Sequence, residues 1–278
     1  MKIFRTMLCL IIAILMTYAV PAYATTWEDT TGPYSTTVVR DTGPDKMYYI
    51  YRPQTLMSNT HPIVVYCVGM GSHPKTSDGE VLLAPLASHG VVVIAGTDPD
   101  QGDGSQASAG VNWLISQNEI SKSEYYQKLI PSRVLAIGYS RGGNGAMRAS
   151  IKNSKITSLL LSAPSTSNIR FGSLGVNSSD LLVPTFYITG SLDTTVLPDW
   201  VKALYQETTK ANAWYGEKTS QGHRGMVGNT DIQYYIRAWL YTHLFNDSGT
   251  ARKCFYGPNW TFKNASTWRE KLKNNSAF

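Results

Sequence analysis

"RVLAIGYSRGGNGAMRASI", residues 133 to 151, runs from an apolar stretch into one serine set between glycines and leaves along small residues. The part up to Ser140 has the nearly continuous apolar character of a strand covered on both faces. The part after it has helical spacing and little bulk. Gly-x-Ser-x-Gly at such a strand-to-helix junction is the nucleophile elbow. Gly138 and Gly142 remove side chains where strand and helix pass closest, so Ser140 can take a strained backbone with its hydroxyl exposed. The helix leaving the turn aims its free N–H groups and positive dipole end at that hydroxyl, which favours a developing negative charge. The motif is short; the apolar strand before it and the small-residue helix after it give it weight.

Working outward, strand-like runs alternate with helical patterns, the signature of a parallel sheet with crossover helices. "TTVVR" and "MYYIYRP" read as early antiparallel strands, and "PIVVYCV" (62–68), "VVVIAG" (91–96), "ITSLLLSAP" and "PTFYITGS" as buried ones. "NAWYGEK" reads as the last strand. Helices are expected over "GEVLLAPLASHG", which stops at Gly90, over "SAGVNWLISQN", and over "PDWVKALYQETTK" with Pro198 in its first turn. "TDIQYYIRAWLYTHLF" is a closing amphipathic helix. The architecture this predicts is α/β: a mostly parallel central sheet flanked by helices.

The N-terminus has its own logic. Lys2 and Arg5 precede the apolar run "MLCLIIAILM", and Ala22-Tyr23-Ala24 supplies a small-x-small cleavage pattern. This is the layout of a signal peptide over residues 1–24, and the run is short of the roughly 20 residues a membrane span needs. The expected product is one domain over 25–278, secreted or periplasmic, with no transmembrane anchor and monomeric. Its formal charge falls from +6 to +4 with Lys2 and Arg5 removed. No basic residues cluster, so nucleic acid is excluded as a partner. Of the two cysteines that remain, Cys67 lies inside an apolar run, where a plain buried thiol is expected rather than a bridge to Cys254.

A serine hydroxyl needs a base, and the base needs an orienting acid. On this arrangement the chain order is serine, acid, histidine, with functional groups beyond the carboxyl ends of the strands. Asp193 in "FYITGSLDTTV" and His223 in "TSQGHRGM" both follow strand ends. Asp180 precedes its strand, Asp199 starts a helix, and His61, His89 and His243 sit before a strand, at a helix end and inside a helix. The oxyanion hole should use the N–H of Arg141, after the serine, and that of Met70 in "VGMGSH". Gly69 and Gly71 would let that backbone approach a substrate, and His73, in the same loop, could line the substrate site. The chemistry needs no metal or organic cofactor; the partner is an ester substrate.

The motifs "YRP", "PIVVYCVGMGSHP", "LASHGVVVIAGTD", "VNWLISQN", "GYSRGG", "GSLDTTVLP" and "WYGEKTSQGHRGM" follow the order and spacing of the bacterial secreted polyester hydrolases. These are the cutinase-like enzymes that include poly(ethylene terephthalate) hydrolases. The resemblance runs from about Tyr48 to the closing helix. It implies an α/β-hydrolase fold without a lid domain, hydrolysis of carboxylic esters through Ser140, Asp193 and His223, oxyanion donors at Met70 and Arg141, and Tyr139 lining the cleft. The short interval from Ser140 to Asp193 also leaves no room for a lid. The sequence departs from that group in three places. "SAPSTSNIRF" lacks the tryptophan expected there, which weighs against aromatic polyesters; Met70 stands where an aromatic residue is usual. Arg141 puts a cation beside the nucleophile, either to favour acidic substrates or with its head group in solvent.

Overall fold

The computed structural model describes residues 26–76, 78–165 and 177–274, so the expected signal-peptide cleavage site and the residues from Thr166 to Phe171 lie outside the described residues. Among the described residues, nine strands form one sheet: β1 (Thr36–Thr42), β2 (Tyr48–Pro53), β3 (His61–Cys67), β4 (Val92–Gly96), β5 (Leu129–Tyr139), β6 (Ser158–Ser162), β7 (Thr185–Gly190), β8 (Ala213–Lys218) and β9 (Trp268–Lys273). Their spatial order is β1-β2-β4-β3-β5-β6-β7-β8-β9. The six from β4 across to β8 are mutually parallel. An antiparallel β1–β2 pair joins one edge, and β9 lies antiparallel along the other.

The helices are α1 (Ala84–Ser88), α2 (Ser105–Gln117), α3 (Arg141–Lys152), α4 (Pro198–Glu207), α5 (Gly225–Gly228), α6 (Thr230–Leu244) and α7 (Thr250–Lys253). Every residue of β3 is buried. Alternate side chains therefore serve two separate cores: Val64 and Tyr66 face the layer of α1, α5, α6 and α7, while Ile63, Val65 and Cys67 face that of α2, α3 and α4. Asn229 starts α6 by accepting hydrogen bonds from the N–H of Asp231 and Ile232. No helix among the described residues is long and apolar enough to cross a membrane.

The structure corrects the expected end of the sheet. The chain does not close on α6: it continues through α7 and returns as β9, which pairs with β8. "WREKLK" escapes a search for apolar alternation because it is an edge strand, with Trp268 its one buried residue. The segment expected as one helix from Gly79 begins as a single π-helical stretch, Gly79–Leu83, before α1. Cys67 and Cys254 are both free and buried, on opposite faces of the sheet. Burial pushes the Cys67 thiol up to about 12 and that of Cys254 to about 11, so neither is a reactive thiolate at neutral pH.

Candidate active site

Ser140 sits between β5 and α3 at φ 53°, ψ −121°, a conformation a residue with a Cβ adopts only when its surroundings force it. The force comes from close backbone packing. A Cβ on Gly142 would fall 2.2 Å from the carbonyl oxygen of Cys67, and one on Gly138 2.4 Å from that of Gly142. The turn is then tied down on both sides. Ser140 N–H donates to the Ser162 carbonyl at 2.9 Å, and the Ser140 carbonyl accepts from the N–H of Gly143 and Ser165, each at 2.9 Å.

Asp193 and His223 arrive on the loops after β7 and β8, which run against each other. Leu192 N–H donates to the Gln221 carbonyl at 2.8 Å, and Ser220 N–H to Ser191 Oγ at 2.9 Å. Gly190 permits this approach, since a Cβ there would lie 2.2 Å from the Gln221 carbonyl oxygen. Asp193 is 2% exposed, and its two oxygens have separate tasks. Oδ1 accepts from the N–H of Thr195 and Val196, both at 2.9 Å, which fixes the carboxylate plane. Oδ2 lies 2.8 Å from His223 Nδ1, and His223 Nε2 lies 3.0 Å from Ser140 Oγ. With Nδ1–H donating to the carboxylate, Nε2 is left to accept from the serine hydroxyl.

Tyr139, expected on the cleft wall, is 4% exposed. Its ring packs against the His223 imidazole, centroids 5.0 Å apart and tilted by 48°. Burial raises its phenol well above the ordinary range, so it stays neutral. Gly69 lies over the same ring and close to Ser140: a Cβ there would be 2.8 Å from the Tyr139 ring and 3.4 Å from the serine Cβ. The next residue is Met70, 45% exposed. Neither its N–H nor that of Arg141 has a protein acceptor among the described residues. Gly71 takes φ +71° and has open space where a Cβ would go. His73 stands apart from the three hydrogen-bonded side chains; its Nδ1 accepts from Lys75 N–H and its ring edge meets Tyr49.

The Arg141 side chain follows neither expectation. It is 13% exposed and makes a two-pronged ion pair with Asp100, Nε to Oδ1 at 2.8 Å and Nη2 to Oδ2 at 3.0 Å. The hydrogen bond from Arg141 is the main reason the Asp100 carboxyl lies below the usual carboxylate range. Its charge is thus answered within the protein. Sequence reasoning passed over Asp100, although "DPDQGDG" follows β4 at the end of the sheet where functional loops gather. It also passed over Asp78, whose fully buried carboxylate accepts from Tyr66 Oη at 2.8 Å and from Nη2 of Arg224, the residue after His223, at 3.2 Å. No local sequence pattern marks that residue.

A mostly parallel sheet with a serine at the turn after β5, and a hydrogen-bonded acid and histidine beyond β7 and β8, defines the α/β-hydrolase fold. Among the described residues, only the 3-10 turn Ser178–Asp180 stands between β6 and β7. The chain belongs to the PETase family, described as PET hydrolase-like, whose model it matches over residues 20–272. That places it among polyester and ester hydrolases. No curated protein matches it.

Proposed function

We propose that this protein is an exported serine esterase, acting on carboxylic esters through an acyl-enzyme after removal of residues 1–24. One observation carries the reading: the unbroken hydrogen-bonded line from Asp193 through His223 to Ser140. In the proposed cycle, His223 Nε2 takes the proton from the Ser140 hydroxyl as its oxygen attacks the ester carbonyl. Asp193 holds the imidazole in the required tautomer and stabilises the imidazolium. The carbonyl oxygen becomes an oxyanion facing the unengaged N–H groups of Met70 and Arg141. Each such donor is typically worth about 10²–10³ in rate. His223 then returns the proton to the leaving alcohol. Water enters and repeats the sequence on the acyl-enzyme, releasing the acid and restoring the serine.

The exposed apolar side chains of Met70, itself a proposed oxyanion donor, and of Leu192, next in sequence to Asp193, suit an apolar acyl group. Ser140→Ala should abolish hydrolysis of a p-nitrophenyl ester, a loss of about 10⁶ in kcat, and remove labelling by a fluorophosphonate without lowering Tm. Retained turnover would take Ser140 out of the mechanism. A panel of acyl lengths, aliphatic and aromatic polyester films and phospholipid vesicles then sorts the substrates.

A further inference from the structure

Pro99, Asp100 and Gln101, three consecutive residues after β4, each hold a different part of the frame around Met70 and Arg141. The Pro99 carbonyl accepts from Gly71 N–H at 2.9 Å. The Gln101 side-chain oxygen accepts from Val68 N–H at 3.2 Å. Met70 is thereby pinned from both sides while its own N–H stays unengaged. The Asp100 carboxylate meanwhile holds the side chain of Arg141, at the head of α3.

The tripeptide is itself immobilised. Gln101 is 2% exposed, and its Nε2 donates to the carbonyls of Gly96 and Asp98 at 2.7 and 3.1 Å. Asp98 Oδ1 accepts from Asp100 N–H at 2.8 Å, and Asp100 Oδ1 from Gly102 N–H at 3.1 Å. The Gln101 carbonyl oxygen also lies against α3, where a Cβ on Gly145 would come within 2.0 Å of it.

We propose that Asp100 and Gln101 are positioning residues that set the separation between the N–H groups of Met70 and Arg141, and so the fit of the oxyanion between them. The inference rests on the serine-esterase reading. The two donors come from different segments, the loop after β3 and the first turn of α3. An oxyanion hole is effective only if its donors are fixed before the charge develops, and the Pro99–Gln101 brace spans the two segments that carry them. Loosening it leaves the nucleophile and base intact and costs transition-state binding alone.

The test combines fluorophosphonate titration, which counts working serines, with p-nitrophenyl butyrate kinetics and inhibition by an alkylboronic acid that forms a tetrahedral adduct on serine. Asp100→Ala and Gln101→Leu should each lower kcat about tenfold to hundredfold with KM within about twofold. Boronate affinity should fall in parallel while the serine stays titratable. Asp100 is half exposed, so that variant should keep its Tm even where Gln101→Leu does not. Arg141→Ala combined with Asp100→Ala should lose no more than Asp100→Ala alone, because the two side chains act as one tie. Unchanged kcat in the Asp100 variant, or a raised KM at constant kcat, would overturn the proposal. A wild-type protein that fluorophosphonate fails to label would instead remove the esterase reading, and this inference with it.

Discussion

Phe186 and Tyr187 are neighbours on β7 that point into opposite layers, and the layers differ most sharply where α3 begins. On the α6 side Phe186 meets Trp239, Phe255 and Phe262 at centroid distances of 5.5, 5.1 and 5.5 Å, and Trp214 meets Trp239 at 5.1 Å. On the other side, where α3 leaves the serine turn, its first buried residues are Gly142, Gly143, Asn144, Gly145 and Ala146. Aromatic rings buried edge to face contribute area and a preferred geometry. Glycines contribute neither, but they let backbone approach backbone. The contrast teaches a local division of labour: aromatic bulk packs one face of the sheet, and around the start of α3 its absence lets strand, turn and helix close around Ser140.

If the division is real, changes on the two sides should move different observables. The largest effect is expected at the site. Asp193→Asn keeps an oxygen for Thr195 and Val196 but turns an amide toward His223, holding the imidazole in the wrong tautomer. kcat should fall about 10⁴-fold with little change in Tm, measured by ester turnover and thermal denaturation on one preparation. A large Tm loss without the kinetic one would break the comparison.

Next comes the aromatic face. Phe186→Ala should cost about 3–5 kcal/mol in urea unfolding, with kcat per titratable serine unchanged in the protein that remains folded. A drop in that kcat would mean the aromatic layer also shapes the site.

The smallest effect sharpens the stability side. His61 donates from Nδ1 to the Gly90 carbonyl and accepts at Nε2 from Met57 N–H, an arrangement open only to the neutral ring. Burial lowers its pKa. Burial, then the charge of Arg237, pushes His89 down to about 4. Below pH 6.5 the unfolded chain binds protons at these positions while the folded chain does not. For His89 stability therefore falls with pH from about 6.5 to about 4, at a slope approaching about 1.4 kcal/mol per pH unit, and His61 contributes in the same direction. Urea midpoints across this range should show the slope, and His89→Gln should flatten it; an unchanged slope would acquit that ring.

Strands β1 to β8 are visible in the sequence because a strand covered on both faces, or on one, must be apolar in a regular way. β9 is not, because its stability comes from pairing with β8 and from one buried tryptophan. At the site, strand ends identify where Asp193 and His223 lie along the chain. Their meeting depends on the crossing of two loops at Gly190, which only three dimensions reveal. The partner of Arg141 was hidden for the same reason: the loop after β4 and the start of α3 are some forty residues apart in sequence. Tyr139 was harder still, since a tyrosine next to the serine of such a turn reads equally well as a cleft wall or as a floor under the imidazole.

β9 also decides what the sheet presents to the outside. Arg269, Glu270, Lys271 and Lys273 line this outermost strand, and Glu270 is paired with Lys202 across to α4. A foreign strand trying to continue the hydrogen-bonded ladder meets a fence of charge. Without that fence "AWYGEK" would be the rim of the sheet, its backbone open to a further strand. The last strand thus works as a hem, its charged side chains disfavouring a further strand on this side of the sheet.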